Sequence, residues 1–205
     1  MIIGKWNKSV ILTYIGLIIS ILGIYLSFTN NNILLALSCL LVAGVCDLFD
    51  GAIARRCKRT KEEKQFGIEL DSLVDVVNFI ALPIALLINL GLIEIYHLII
   101  YMFFAIAGVA RLAYFNITLE EKNKNEPVKY YHGLPVTFIA MILPIAHLLT
   151  YLFHINDYSI YYAIILSVTS LLNVLNVNIR KPHGLAYPIL LLMAIVTLIL
   201  FLGVL

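Results

Sequence analysis

The chain has 205 residues, of which 62% are hydrophobic and 13% charged, with a mean hydropathy of +0.98. Globular chains average roughly half apolar and about a quarter charged residues, so an ordinary soluble domain is excluded and one integral membrane domain is expected. The net charge of +2 excludes little and suggests no nucleic-acid partner; the placement of the charges carries the information.

About 20 apolar residues cross a bilayer as a helix. By that measure the sequence predicts spans near 9–29, 33–54, 68–91, 95–116, 133–154, 158–178 and 184–205. Lys5 and Lys8 precede the first, but the apolar stretch from Ser9 to Phe28 is too long for a signal-peptide core and no small-residue cleavage site follows. Cys39 and Cys46 fall within an apolar run, and with Cys57 they show neither metal-ligand spacing nor a disulfide framework. Breaks at Asn30-Asn31-Asn32, Gly91 to Glu94, His154 to Asp157 and Lys181-Pro182 are short. Arg55 to Gln65 and Thr118 to Tyr131 are expected as the two real loops. Pro83, Pro144 and Pro188 lie inside spans, where they are expected to kink helices.

With seven spans and a cytoplasmic N-terminus, all 14 Lys and Arg residues fall on one side of the membrane. The positive-inside rule makes that side cytoplasmic. The basic stretch Arg56 to Lys64 reads as a topological signal with a secondary attraction to anionic headgroups. His97, His147 and His154 fall toward the other side.

Four of the five aspartates occupy one 29-residue window: Asp47-x-x-Asp50-Gly51-x-x-Ala54-Arg55, eleven residues, then Gly67-x-x-x-Asp71-x-x-x-Asp75. Spacings of three and four put Asp47 and Asp50 on one helical face and Asp71 and Asp75 on another. A lone Asp at a helix end is ordinarily solvated, and Asp157 reads that way. Four carboxylates beside apolar runs are a different matter, because unpaired they repel or take up protons. A divalent cation resolves the conflict and still accepts phosphate oxygens. Two such ions, about 3.5–4 Å apart, would clamp a diphosphate for in-line displacement. Asp75, last in the row and one turn deeper, is the expected base toward an incoming hydroxyl. Gly51, Ala54 and Gly67 leave room beside the helix backbone, and Arg55 pairs with phosphate or with a ligand carboxylate.

The pattern D-x-x-D-G-x-x-A-R-x(8 or more)-G-x-x-x-D-x-x-x-D resembles the signature of the CDP-alcohol phosphotransferases. Its eight fixed positions are Asp47, Asp50, Gly51, Ala54, Arg55, Gly67, Asp71 and Asp75. The resemblance implies an all-α polytopic bundle of six core transmembrane helices, here with an additional C-terminal one, forming a homodimer with cytoplasm-facing sites. It implies Mg²⁺ or Mn²⁺, two ions per site, bound by Asp47, Asp50 and Asp71, with Asp75 as base and further ligand. The cytidine diphosphate is held at Gly51, Ala54, Arg55, Gly67 and Asp50. Relatives often carry a Pro-Asn-x-x-Thr-like stretch before the first helix; in Asn7-Lys8-Ser9-Val10-Ile11-Leu12-Thr13 the counterpart is Thr13 alone.

Residues outside the signature bear on the acceptor. The stretches Leu70 to Asp75, Phe79, Ala81-Leu82-Pro83, Arg111 to Asn116 and His132 to Thr137 resemble the membrane-integral phosphatidylserine synthases over roughly residues 40–140. That implies transfer from CDP-diacylglycerol or CDP-archaeol to L-serine. Arg111 is the one Lys or Arg within a predicted span, and a forked cation suits a carboxylate; its bland alternative is a snorkelling charge. Asn116, His132 and Gly133 are the other expected acceptor contacts, with Asn116 and His132 reading also as helix caps. Acceptors bearing phosphate, glycerol 3-phosphate or an inositol phosphate, would need more cations: Arg111, Lys129 and Arg180 are the candidates. An ion-coupled transporter is the rival from another class, but its ions would lie near the midplane, often between inverted repeats.

Overall fold

A computed structural model describes residues 4–29, 32–122, 130–155, 157–180 and 184–204, with backbone alone at 118–122, 130–132, 180 and 204. Among the described residues run eight α-helices: α1 Ile11–Thr29, α2 Ile33–Arg56, α3 Lys61–Val76, α4 Leu82–Asn89, α5 Ile95–Lys122, α6 Ile139–Leu152, α7 Tyr158–Val174 and α8 Ala186–Val204. A π-turn at Val77–Ala81 joins α3 to α4 as one rod, so seven apolar rods match the seven expected spans. Five are individually long and apolar enough to cross a membrane; Val136–Leu152 and Tyr158–Val174 are shorter. The protein is a multi-pass, all-α membrane bundle.

Small residues set the first contact. Thr13, Gly16, Ser20, Gly23 and Ser27 recur every three or four positions as the buried stripe of α1, which lies along α2. In lipid, where apolar chains gain nothing from leaving water, such stripes let backbones approach and pack. Gly44 of α2 does the same toward α6, where a Cβ would stand 2.6 Å from the Ala140 Cβ. Between them lies the core, with Leu37, Leu40, Phe79, Leu82, Phe104, Leu143 and Leu166 almost wholly buried. Ile18, Tyr25, Ile106 and Leu202 stay exposed on the rim, as residues facing lipid do.

Three boundaries differ from the sequence reading. The expected loop Arg55 to Gln65 shrinks to Cys57–Thr60, because α3 starts at Lys61. A capping box sets that start: the Thr60 hydroxyl accepts from the Glu63 N–H (3.1 Å), and the Glu63 carboxylate from the Thr60 N–H (2.8 Å). Hydropathy marks where a helix enters lipid, and this one begins in the polar layer. For the same reason α5 runs past 116 to Lys122, so Asn116 is helix interior and not a cap. The third difference is a short antiparallel pair, β1 Tyr130–His132 with β2 Asn178–Arg180, where α7 and an extended link replace one span of 158–178.

The π-turn has a local cause. Pro83 has no N–H to offer the Phe79 carbonyl, and the Leu82 N–H reaches back five residues to Val77. The widened turn directly follows Asp75 and Val76, in keeping with the frequent placement of π-bulges at functional positions.

Candidate active site

A four-residue link separates α2 from α3, α2 packs against the π-turn and α4 that continue α3, and the acidic side chains of α2 and α3 meet. The carboxyl of Asp47 lies within hydrogen-bonding reach of Asp75, and that of Asp50 within reach of Asp71. Asp47, Asp71 and Asp75 each place a carboxylate oxygen within 4.8 Å of the others. Asp50 and Asp75 are only 8% and 7% exposed. Behind the cluster the Thr13 hydroxyl donates to Asp50 Oδ2 (3.1 Å), tying α1 to the end of α2.

The acids line a cavity of about 300 Å³, open on one side, with walls from α2, α3, α5, α6 and α8. Its polar side adds Gly51, Arg55, Ser72, Arg111, Asn116 and Thr137; its apolar side has Leu41, Val45, Leu48, Met141 and Leu190. Arg55 is exposed, with Nη1 close enough to stand 3.5 Å from a Cβ added at Gly51. Arg111 is buried, lies over the Phe115 ring at 5.4 Å from its centroid, and is within electrostatic reach of Asp75. Four carboxylates face two guanidinium groups among the described lining residues. The deficit of positive charge, the low exposure and an all-oxygen donor set fit hard divalent cations such as Mg²⁺ or Mn²⁺.

The structure thus gathers Asp47, Asp50, Gly51, Arg55, Asp71, Asp75, Arg111 and Asn116 around one space. Thr13 stands behind it as a support for Asp50. Ala54 and Gly67 flank the cavity without lining it; a Cβ on Gly67 would look toward Val10 and Arg59, at 3.8 and 3.9 Å.

Gly133, expected at the acceptor, lies apart from the lining residues. Its φ of +77° and its N–H bond to the Val177 carbonyl (2.9 Å) fasten the segment before α6 to the link that follows α7. A Cβ there would sit 2.7 Å from the Asn173 carbonyl oxygen, so only glycine fits. His132 belongs to β1, but its side chain and that of Arg180 are outside the described part, as is all of Lys129.

Ser72, Phe115, Thr137 and Tyr187 line the cavity without having been singled out. Phe115 was readable as the i+4 neighbour of Arg111 on a helix. Tyr187 was not, because nothing in the uniformly apolar last helix says which face turns inward.

The profile of the CDP-alcohol phosphatidyltransferase family matches residues 6–204. A CDP-diacylglycerol–serine O-phosphatidyltransferase of Saccharomyces cerevisiae is 37% identical over 112 residues, covering 52% of this chain and 40% of that protein. The enzyme of the same name from Helicobacter pylori strain 26695 is 32% identical over 170 residues, covering 79% of this chain and 67% of its own length. The matched region thus spans about two fifths of the yeast relative and two thirds of the bacterial one. An acid-lined cavity between α2 and α3 and a profile match over nearly the full length place the chain in the CDP-alcohol phosphatidyltransferase family.

Proposed function

We propose that the protein transfers the phosphatidyl group, or its ether-linked archaetidyl counterpart, from a CDP-diradylglycerol lipid to the hydroxyl of L-serine, releasing CMP. The observation that carries the reading is the meeting of four aspartates from two helices beside a buried arginine. The two relatives named for transfer to serine support the choice of acceptor.

Asp47, Asp50, Asp71 and Asp75 would hold Mg²⁺ or Mn²⁺, two ions being expected. Bound there, the metal supplies charge neutralisation for the diphosphate and for the departing CMP. Arg55, at the exposed mouth, pairs with the donor's phosphates, and Gly51 leaves the backbone open beside it. Arg111 takes the serine carboxylate in a forked pair, which brings the serine hydroxyl toward Asp75. Asp75 accepts the hydroxyl proton as the serine oxygen bonds to the lipid-bearing phosphorus and the bond from that phosphorus to the CMP oxygen breaks. The Leu41, Val45, Leu48, Met141 and Leu190 side accommodates the first part of the lipid chains, whose remainder stays in the bilayer.

With one of two lining arginines engaged by the diphosphate, a singly charged carboxylate suits the other better than a phosphate-bearing acceptor does. The basic end of the bundle supports a site that faces the cytoplasm from the cell membrane, and a homodimer belongs to the same reading.

The test supplies purified protein with CDP-diacylglycerol, Mg²⁺ or Mn²⁺ and labelled serine. A labelled lipid and equimolar CMP are expected. CMP release with glycerol 3-phosphate or inositol phosphate but not serine would reassign the acceptor, and no CMP with any of them would refute the reading.

A further inference from the structure

The cavity contains a polar contact that the transfer reaction as described leaves unused. The Ser72 hydroxyl, next in sequence to Asp71 on α3, donates to the Asn116 side-chain oxygen on α5 at 3.1 Å, and both residues line the cavity. A serine inside a helix ordinarily spends its hydroxyl on a carbonyl of its own preceding turn; this one spans 44 residues of sequence to another helix. The bond has a chemical consequence, because an amide carries its acceptor and its donors on opposite branches. With the oxygen engaged toward α3, the N–H pair occupies the other branch.

Resting on the proposed transfer to serine, we infer that Ser72 is a positioning residue that holds the Asn116 amide with its donors toward the acceptor, making with Arg111 a donor-only cradle for the serine carboxylate. The two ends of the amide agree. A flipped amide would turn its oxygen on an anion, while the orientation present satisfies Ser72 and the carboxylate together. The tie also links α5, which carries Arg111 and Asn116, to α3, which carries Asp75. The acceptor carboxylate and the base are thereby kept in register, so the hydroxyl arrives where its proton is taken. Ser72 need touch no reacting atom to do this.

The experiment compares Ser72→Ala, Ser72→Thr and Asn116→Asp in the full chain, with KM measured separately for serine and for CDP-diacylglycerol. Loss of one hydrogen bond that orients a contact to a charged group predicts a rise of about tenfold in the KM for serine in Ser72→Ala. The KM for the CDP-lipid should stay put, and Ser72→Thr, which keeps the hydroxyl, should restore the serine KM. Asn116→Asp still accepts from Ser72 but presents an acceptor where the amide presents donors. Its serine KM should rise about a hundredfold, and its ratio of serinamide to serine turnover should exceed that of the parent, since serinamide brings N–H donors of its own. Equal defects in Ser72→Ala and Ser72→Thr, a parallel rise in both KM values, or an unchanged serinamide ratio would overturn the inference. If the parent itself makes no lipid from serine, the fault lies with the proposed function, and that outcome is read before any variant.

Discussion

Two regions of this bundle bury polar side chains, and they do so in opposite ways. Between α6 and α7, the His147 Nδ1 meets the Tyr162 hydroxyl at 2.6 Å, Tyr161 donates to the Ala146 carbonyl (3.0 Å), and Thr150 to the His147 carbonyl (2.7 Å). Each group there is neutral or can be, and each hydroxyl has a partner, so the region is a structural tie across two helices. Between α2 and α3 four carboxylates face one another, Asp50 and Asp75 buried and Asp47 and Asp71 half-buried, and no arrangement of like charges satisfies itself. The tie leaves the His147 Nε2 without a hydrogen-bond partner but carries no net charge to balance, whereas the acid cluster, on the proposed reading, is finished by cations from outside. Burial of polar atoms thus marks function only where the chain's own groups cannot answer one another.

The sharpest way to break that contrast is to remove the one acid assigned a proton. Asp75→Asn keeps the size and loses the base, so turnover should fall by about a thousandfold, while CDP-lipid binding is largely kept. CMP release and a binding titration on the same preparation check both halves. Turnover within tenfold of the parent would dismiss Asp75 as base. Arg111→Ala follows in size. Removing a forked, charge-assisted contact should raise the KM for serine about a hundredfold, with nucleotide binding near that of the parent. An unaltered serine dependence would return Arg111 to the role of a snorkelling charge.

Much of the contrast was legible in the sequence, for a reason tied to its chemistry. Aspartates in lipid are rare, and spacings of three and four are unambiguous on a helix, so Asp47, Asp50, Asp71 and Asp75 announced both their face and their meeting. The spans were legible because lipid demands long apolar runs. What stayed hidden depended on other signals. The start of α3 was written in Thr60 and Glu63, a polar capping pattern that hydropathy does not see. Gly133 looked like an acceptor contact but serves a positive-φ turn against the Asn173 carbonyl. The inward face of α8, with Tyr187, could not be read because all of its faces are apolar.

A smaller effect separates the two regions thermodynamically. Asp47→Asn removes one charge from a self-repelling set, so the melting temperature of the metal-free protein should rise by a few degrees. The stabilisation of the parent by added Mg²⁺ or Mn²⁺ should shrink or vanish in the variant. His147→Phe should do the reverse, lowering the melting temperature through an unsatisfied Tyr162 hydroxyl that costs about 1–3 kcal/mol. The specific activity of the folded fraction should hold. Thermal scans in detergent with and without metal distinguish the two. A metal-free Asp47→Asn protein that melts below the parent would mean that the acids satisfy one another after all.

The smallest expected effect tests whether the acid cluster is held from behind. Thr13 donates to Asp50 from α1, a hold on one of the four acids from outside α2 and α3. Thr13→Val keeps the shape and deletes the donor. The bond is worth about 1.5 kcal/mol, the low end for a charged acceptor, so the metal concentration giving half-maximal activity should rise about tenfold at unchanged kcat under saturating metal. Thr13→Ser should restore it. A fall in kcat that saturating metal does not recover would show that Thr13 acts on the reacting groups themselves, and that α1 belongs to the chemistry and not only to its support.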